Sequence, residues 1–205
     1  MIYASQFSSS IADWIQKNPL EWIHLVTEGS DPLDAINISD SLHLSSSGHL
    51  WADTVAEHAL AMLLTLSRGI NVSIQTVQTD QWSREEIIPR LHRIKDLNVL
   101  VVGYGRIGSK IGASMKNLGA QVTGVASTER SVDGIRVYKM ADLDTLIPHA
   151  DVIFLSLPLN SQTHHLISKA QFELMRKSVF LINDSRGVVL DEEALYQVLV
   201  NGKLR

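Results

Sequence analysis

Three glycines at the spacing Gly-x-Gly-x-x-Gly directly follow an apolar run, Val99 to Val102. A glycine is needed at each of these three positions for a different physical reason. Gly103 allows a tight turn, Gly105 lets the backbone approach a pyrophosphate, and Gly108 lets a helix pack closely on the strand. A helix that begins here would direct free N–H groups and the positive end of its dipole at the phosphates. We interpret the stretch as a dinucleotide-binding turn, and an ordinary strand–helix turn is the alternative.

Polar residues follow the later strand-like runs as well, and the ends of parallel strands meet at the edge of a sheet where ligands bind. Candidates for cofactor contacts at these positions are Ser127, Thr128, Arg130, Leu157, Pro158, Thr163, Asp184 and Ser185. Arg186 stands directly after a buried strand and before Gly187. It could present a two-pronged guanidinium group to a carboxylate, and an exposed loop arginine is the alternative.

Alternating strand and helix patterns surround these positions. The helix after the turn has Ile107, Ile111, Met115 and Leu118 at helical spacing, and Gly119 ends it. Strands are predicted at Gln121–Val125, Ile135–Tyr138, Asp151–Leu157 and Val179–Asn183, and helices at 141–147, after the Ser168–Gln171 capping box and after Asp191. This alternation predicts an α/β fold with a doubly wound parallel sheet.

The first half of the chain gives a second set of elements. Strands are predicted at Leu20–Val26 and Leu42–Leu44, with a polar loop at 45–49, and helices at 51–68 and 70–82. The helix over 51–68 is apolar on more than one side, so it should be deeply buried or form a subunit interface. Inside it, we interpret His58 as a hydrogen-bonded core or interface residue rather than a catalytic one. Residues 83–96 are charged and irregular, which predicts a boundary between a unit at 1–93 and a unit at 94–205.

Composition excludes several classes of function. The 205-residue chain has a formal net charge of −4 and no cysteine, so disulfides and thiolate chemistry are excluded and nucleic acid is not an expected partner. No metal site is expected either. The first residues carry no signal peptide, and no apolar run is long enough to span a bilayer, so we expect a cytoplasmic protein without a membrane partner.

Seven pieces of the sequence, in order and through nearly the whole chain, resemble the D-isomer-specific 2-hydroxyacid dehydrogenases. They are Leu20–His24, Gly29–Asp31, Val55–His58, Gln81–Trp82, the glycine motif with Arg106 and Ile107, Leu157–Leu159 with Thr163, and Leu181–Gly187. The resemblance implies hydride transfer between a nicotinamide cofactor and a small 2-oxo or 2-hydroxy acid. It implies a Rossmann domain at 94–205 and part of a flavodoxin-like substrate domain at 1–93.

The resemblance also implies roles for individual residues. Arg186 matches the arginine that binds the substrate carboxylate and keto oxygen. Gly29 and Ser30 match the loop whose backbone amides hold the carboxylate. Arg106 and Ile107 match the pyrophosphate-binding pair. The helix over 51–68 matches a region that contributes to a two-fold dimer, so we expect a homodimer.

The resemblance leaves out both ends of the family's chain. The family has a further strand, helix and strand before the match to Met1, and its catalytic histidine and glutamate lie beyond Arg205. We therefore expect a fragment that is inactive by itself. A non-catalytic NAD(P)-sensing protein, such as a corepressor on the same fold, is the alternative function.

The second strand of the motif indicates which cofactor is used. NAD-dependent proteins place an acidic residue at its end to bind the ribose hydroxyls, about twenty residues beyond the glycines. Here that position is Ala126, followed by two hydroxyls, Glu129 and Arg130. Glu129 could replace the missing acid if the loop turned inward. We favour NADP over NAD, because a guanidinium group without a competing carboxylate can bind a 2′-phosphate.

Overall fold

The computed structural model describes residues 13–15, 17–18, 20–26, 42–78 and 84–204. Its strands are β1 (Trp22–Leu25), β2 (His43–Ser46), β3 (Asn98–Val102), β4 (Gln121–Ala126), β5 (Arg130–Val132), β6 (Ile135–Lys139), β7 (Val152–Leu155) and β8 (Phe180–Asn183). Its helices are α1 (Ala52–Ser67), α2 (Ile70–Gln78), α3 (Arg84–Ile87), α4 (Arg106–Asn117), α5 (Leu143–Leu146), α6 (Lys169–Leu174) and α7 (Glu192–Val200).

Six strands form one sheet in the order β5-β6-β4-β3-β7-β8. β6, β4, β3, β7 and β8 are all parallel, and the strand order reverses direction between β3 and β7. This is the doubly wound arrangement, in which ligands bind beyond the carboxyl ends of the strands at the point of reversal. The predicted fold class is confirmed, because apolar β-branched strands alternate with helices that cover both faces.

The edge of this sheet differs from the prediction. β5 pairs antiparallel with β6, so Arg130 begins a strand instead of closing a loop. A two-residue turn joins the two strands, with φ of 51° at Asp133 and 73° at Gly134. Positive φ at both positions is what a type I′ hairpin turn requires. The dipeptide Asp-Gly between two short apolar segments was the local signal for this hairpin.

Two apolar cores lie on opposite faces of the sheet. One contains Leu155, Phe172 and Met175, as the capping-box pattern predicts, because Ser168 and Gln171 begin α6 and turn these side chains inward. The other contains Ile111 and Met115 of α4 together with residues of α1. α1 therefore shares a core with the sheet although it precedes residue 93, and the boundary at 93 stays a prediction.

The buried face of α1 includes three alanines and one leucine. Ala52, Ala56, Ala59 and Leu63 are buried, whereas Trp51 and Leu66 are 52% and 39% exposed. The alanines allow α1 to approach α4 closely, and Leu63 packs into the same core. Leu118 is likewise exposed rather than inward, because it lies just past the end of α4.

The remaining differences are local. β2 extends to Ser46, and a 3₁₀ turn follows at Gly48–Trp51, where a polar loop was predicted. The segment 83–96, predicted to be irregular, contains α3 and the 3₁₀ turns Ile88–Arg90 and Ile94–Asp96. β1 and β2 form a separate two-stranded parallel sheet. Among the described residues, no helix is both long and apolar enough to cross a membrane.

Candidate functional site

The turn between β3 and α4 is built so that two of its glycines cannot be replaced. Gly103 has a φ of +95°, and a Cβ atom on it would lie 2.1 Å from the Ser156 carbonyl oxygen. A Cβ atom on Gly108 would lie 2.1 Å from the Gly103 carbonyl oxygen. The N–H groups of Gly103 and Tyr104 both donate to the Val125 carbonyl, at 2.9 and 2.8 Å. The packing of the protein itself therefore requires these two glycines.

Gly105 is different, because a Cβ atom on it would meet no atom within 4 Å and its φ of −87° is ordinary. It is the N-cap of α4, so the space above it lies at the helix end where N–H groups have no partners within the helix. The first turn of α4 contains no acidic residue, and it contains Arg106 and Ile107. The open space, the free N–H groups and the dipole together fit a pyrophosphate group.

Tyr104, within the glycine motif, is a residue that the sequence did not single out. It is 2% exposed, and Cβ atoms on Gly112 or Gly124 would come within 2.5 Å of its side chain. Burial raises the pKa of its hydroxyl, Asp133 raises it further and Arg130 lowers it. The tyrosine thus anchors the glycine turn between α4 and β4, and the two extra glycines were the available signal.

Arg130 reaches the glycine turn from the hairpin. Its guanidinium group donates to the Tyr104 carbonyl at 2.5 Å and to the Thr128 carbonyl at 3.2 Å. Ser127 and Thr128 are exposed beside it. Glu129 forms an ion pair with Arg136 at 3.2 Å, and the Arg136 guanidinium group lies over the Tyr138 ring. Arg130 thus lies beside the glycine turn, and its contact with a cofactor stays a prediction, whereas the Glu129 carboxylate is paired with Arg136 of β6.

The loop after β7 is held by its own hydrogen bonds. The buried Thr163 hydroxyl donates to the Pro158 carbonyl at 2.7 Å and accepts from the Asn160 N–H at 2.8 Å. Leu157 is buried next to Gly103, and Pro158 is exposed. Thr163 therefore shapes this loop, and direct contact between these three residues and a cofactor stays a prediction.

Asn183 organises the turn that presents Arg186. Its side-chain oxygen accepts from the Ser185 N–H at 3.1 Å and from the Ser185 hydroxyl at 2.6 Å. Its amide nitrogen donates to the Arg186 carbonyl at 2.9 Å. The half-buried Arg186 side chain donates to the Ser185 carbonyl at 3.2 Å. Asn183 was not singled out from the sequence, although an asparagine that ends a strand is a common turn former.

Asp184 lies between the carboxyl ends of β7 and β8. Its Oδ2 accepts from the Ser156 hydroxyl at 3.1 Å, while its Oδ1 is buried and has no partner among the described residues. Burial raises the pKa of this carboxyl to about 6, although the Ser156 hydrogen bond and its own backbone N–H act in the opposite direction. An unpaired buried acceptor at this edge fits a site that receives a donor group from a bound cofactor.

Three of the histidines lie at exposed positions. His58 is exposed on α1, so it is not a core residue, and its interface role stays a prediction. His164 and His165 are exposed loop residues, and their ring centroids are 4.0 Å apart in a stacked arrangement. In the described ranges, no set of three or more histidine, aspartate or glutamate side chains could hold a metal ion. Gly29 and Ser30 lie outside the described residues.

The doubly wound sheet and the glycine turn define a nucleotide-binding protein of the Rossmann class. Residues 60–205 match the family model described as D-isomer specific 2-hydroxyacid dehydrogenase, NAD binding domain. The chain therefore belongs to the D-isomer specific 2-hydroxyacid dehydrogenase family.

Similar proteins agree with this assignment. A D-3-phosphoglycerate dehydrogenase of Archaeoglobus fulgidus is 35% identical over 154 residues, which cover 74% of this chain and 28% of that protein. A glyoxylate/hydroxypyruvate reductase B of Enterobacter sp. is 32% identical over 179 residues, covering 84% and 54%. The crystal structure of an Aquifex aeolicus D-lactate dehydrogenase complexed with NAD and lactic acid superposes with a TM-score of 0.85 at 29% identity, covering 98% and 60%. The chain thus spans less than two thirds of each of these proteins.

Proposed function

We propose that the protein containing this chain transfers a hydride between NAD(P)H and a small 2-oxo or 2-hydroxy acid. The observation that carries the proposal is that the open glycine turn and Arg186 both lie beyond the carboxyl ends of strands of one parallel sheet, after β3 and β8. An anion site for the cofactor and a guanidinium group suited to a substrate carboxylate thus lie at the same end of the strands. The relatives, whose names specify phosphoglycerate, glyoxylate and hydroxypyruvate, support a small hydroxy or oxo acid as substrate.

Arg186 would bind the acid and polarise its oxo group, and Asn183 would hold the turn that presents it. A nicotinamide cofactor would supply or accept the hydride, which is its own chemistry. The N-terminal end of α4 would bind the pyrophosphate through backbone N–H groups, with Gly105 leaving room for it. By resemblance, the backbone amides of Gly29 and Ser30 would bind the substrate carboxylate.

Replacing Arg186 with lysine tests this function in the intact protein. Lysine keeps the charge but loses the two-pronged geometry, so kcat/KM for 2-oxo acids such as glyoxylate or hydroxypyruvate should fall by about 100-fold or more. The affinity for reduced cofactor, measured by fluorescence titration, should stay within about twofold. Arg93→Lys, at an exposed ion pair before β3, is the matched control and should leave both quantities unchanged. Wild-type kinetics in Arg186→Lys would exclude Arg186 from the substrate site.

We also propose that the cofactor is NADP. β4 ends at Ala126, without the carboxylate that would repel a 2′-phosphate. The Arg130 guanidinium group lies at the glycine turn, and the carboxylate of Glu129 is paired with Arg136. The turn therefore offers a guanidinium group without an ion-pair partner in the described ranges, which favours the cofactor that has the additional phosphate.

A homodimer is the assembly that we propose. An apolar stripe on α1 and α2, consisting of Leu66, Ile70, Ile74 and Val77, is exposed in the described part of the chain. Exposed apolar helix faces of this kind are normally covered by another surface. In a two-fold dimer, the stripe of each copy would cover the stripe of the other.

A further inference from the structure

Lys139 closes β6 directly beside the end of β4. It is the register partner of Ala126 in the parallel pair of β4 and β6. Side chains alternate along a strand, so Lys139 lies on the same face as Val137 and Ile135. Those two residues belong to the apolar core that contains Tyr104 and Ile111. Lys139 therefore projects from the face of the sheet that carries the glycine turn and α4.

Arg130 lies on the same face of the hairpin. It is paired with Val137 in the antiparallel pair of β5 and β6, and directly opposite residues share a face. Its guanidinium group then extends to the Tyr104 carbonyl at 2.5 Å. Arg130 and Lys139 thus approach the end of β4 from two directions.

Neither of these two residues forms an ion pair in the described part of the chain. The partners of Arg130 are uncharged oxygens of Tyr104 and Thr128, and Lys139 forms no ion pair within the described ranges. Two acids lie near Arg130 and Lys139. The Asp142 carboxylate accepts from the Lys139 backbone N–H at 3.2 Å. The Asp133 carboxylate of the hairpin turn raises the pKa of Tyr104, whereas Arg130 lowers it. Glu129 pairs with Arg136, which alternates to the opposite face from Val137. Two cations without an ion-pair partner in the described ranges thus lie near Ala126, on β5 and β6.

We propose that Lys139 is a specificity residue that binds the 2′-phosphate of NADP together with Arg130. The proposal rests on the proposed preference for NADP and adds a residue from a strand that is distant in sequence from the turn. A ribose phosphate carries close to two negative charges, and two cations near Ala126 can bind it together.

The test compares cofactor binding in Lys139→Gln and in the wild-type protein. Removing the cation should weaken NADPH binding about five- to tenfold and leave NADH binding within about twofold. Adenosine 2′,5′-bisphosphate and ADP, which have no nicotinamide, should show the same difference in calorimetry. Lys95→Gln is the control: it removes an equal charge just before β3, at the amino ends of the strands. It should change none of these affinities.

The outcomes separate two failures. Wild-type protein that binds NADH more tightly than NADPH overturns the NADP preference and this proposal with it. Wild-type protein that prefers NADPH, with the same preference retained in Lys139→Gln, overturns the role of Lys139 alone. An equal loss of affinity for NADH and NADPH in Lys139→Gln also overturns it, because that result indicates a structural role.

Discussion

At the scale of single residues, Asp184 combines burial with an unpaired oxygen. The pKa of its carboxyl is about 6 in the folded protein and 3.8 for an unperturbed group. Between these values the folded protein binds a proton that the unfolded chain has released. The contribution of this carboxyl to the free energy of unfolding therefore decreases as pH rises from about 4 to about 6. Above that range the contribution is fully lost.

Replacing Asp184 with asparagine should remove this pH dependence, because the amide stays neutral. The free energy of unfolding of the variant minus that of the wild type should rise by about 2 kcal/mol between pH 4.5 and pH 7.5. Urea denaturation at several pH values measures this difference. A difference that does not change with pH would show that the carboxyl titrates at its ordinary pKa.

Asp151→Asn is the control, because the pH dependence of its effect on the free energy of unfolding should have the opposite sign. Burial acts to raise the pKa of the Asp151 carboxyl, but hydrogen bonds from Asn98 and Arg176 outweigh it and lower the pKa. Its stabilisation is present at neutral pH and is lost as pH falls through the lowered pKa. The destabilisation by Asp151→Asn should therefore be largest at neutral pH and shrink in acid.

At the level of elements, two glycines between β3 and α4 have different roles: Gly103 is needed for folding, and Gly105 is expected to serve cofactor binding. Gly103→Ala should lower the free energy of unfolding by about 3 kcal/mol or more, because of the positive φ and the contact with Ser156. Gly105→Ala should change stability by less than about 1 kcal/mol and weaken NADPH binding at least about tenfold. Denaturant unfolding and fluorescence titration measure the two effects. Wild-type affinity in Gly105→Ala would show that the cofactor does not approach this residue.

At the scale of the whole molecule, the apolar stripe of α1 and α2 defines the proposed dimer. Ile74 and Val77 are 54% and 70% exposed. Ile74→Glu should convert the dimer to a monomer at micromolar concentration, because a charge would be buried without a partner in the interface. Leu199→Glu makes the same exchange at an exposed position of α7 and should leave assembly unchanged. Sedimentation velocity distinguishes these outcomes, and a dimeric Ile74→Glu variant would place the interface elsewhere.

Local sequence patterns were sufficient to predict the features that depend on neighbouring residues. The glycine spacing, the alternation of strands and helices, the capping box at Ser168 and the Asp191 cap all appear where local patterns predict them. These signals are local because turn conformation and helix ends depend on φ angles and hydrogen bonds within a few residues. The hairpin of β5 and β6 was equally local, through Asp133 and Gly134, but its three-residue strand was too short for a periodic pattern.

Contacts between residues that are distant in the chain became visible only in the folded protein. The tertiary structure placed Ala56, Ala59 and Leu63 of α1 in one core with residues of α4 and β8, because the space left between packed elements determines which side chains fit. It buried Asp184 beside Ser156, joined Arg130 to the Tyr104 carbonyl and set Lys139 beside Ala126. Burial, pKa and strand register depend on partners far away in the chain, and no local spacing specifies those partners.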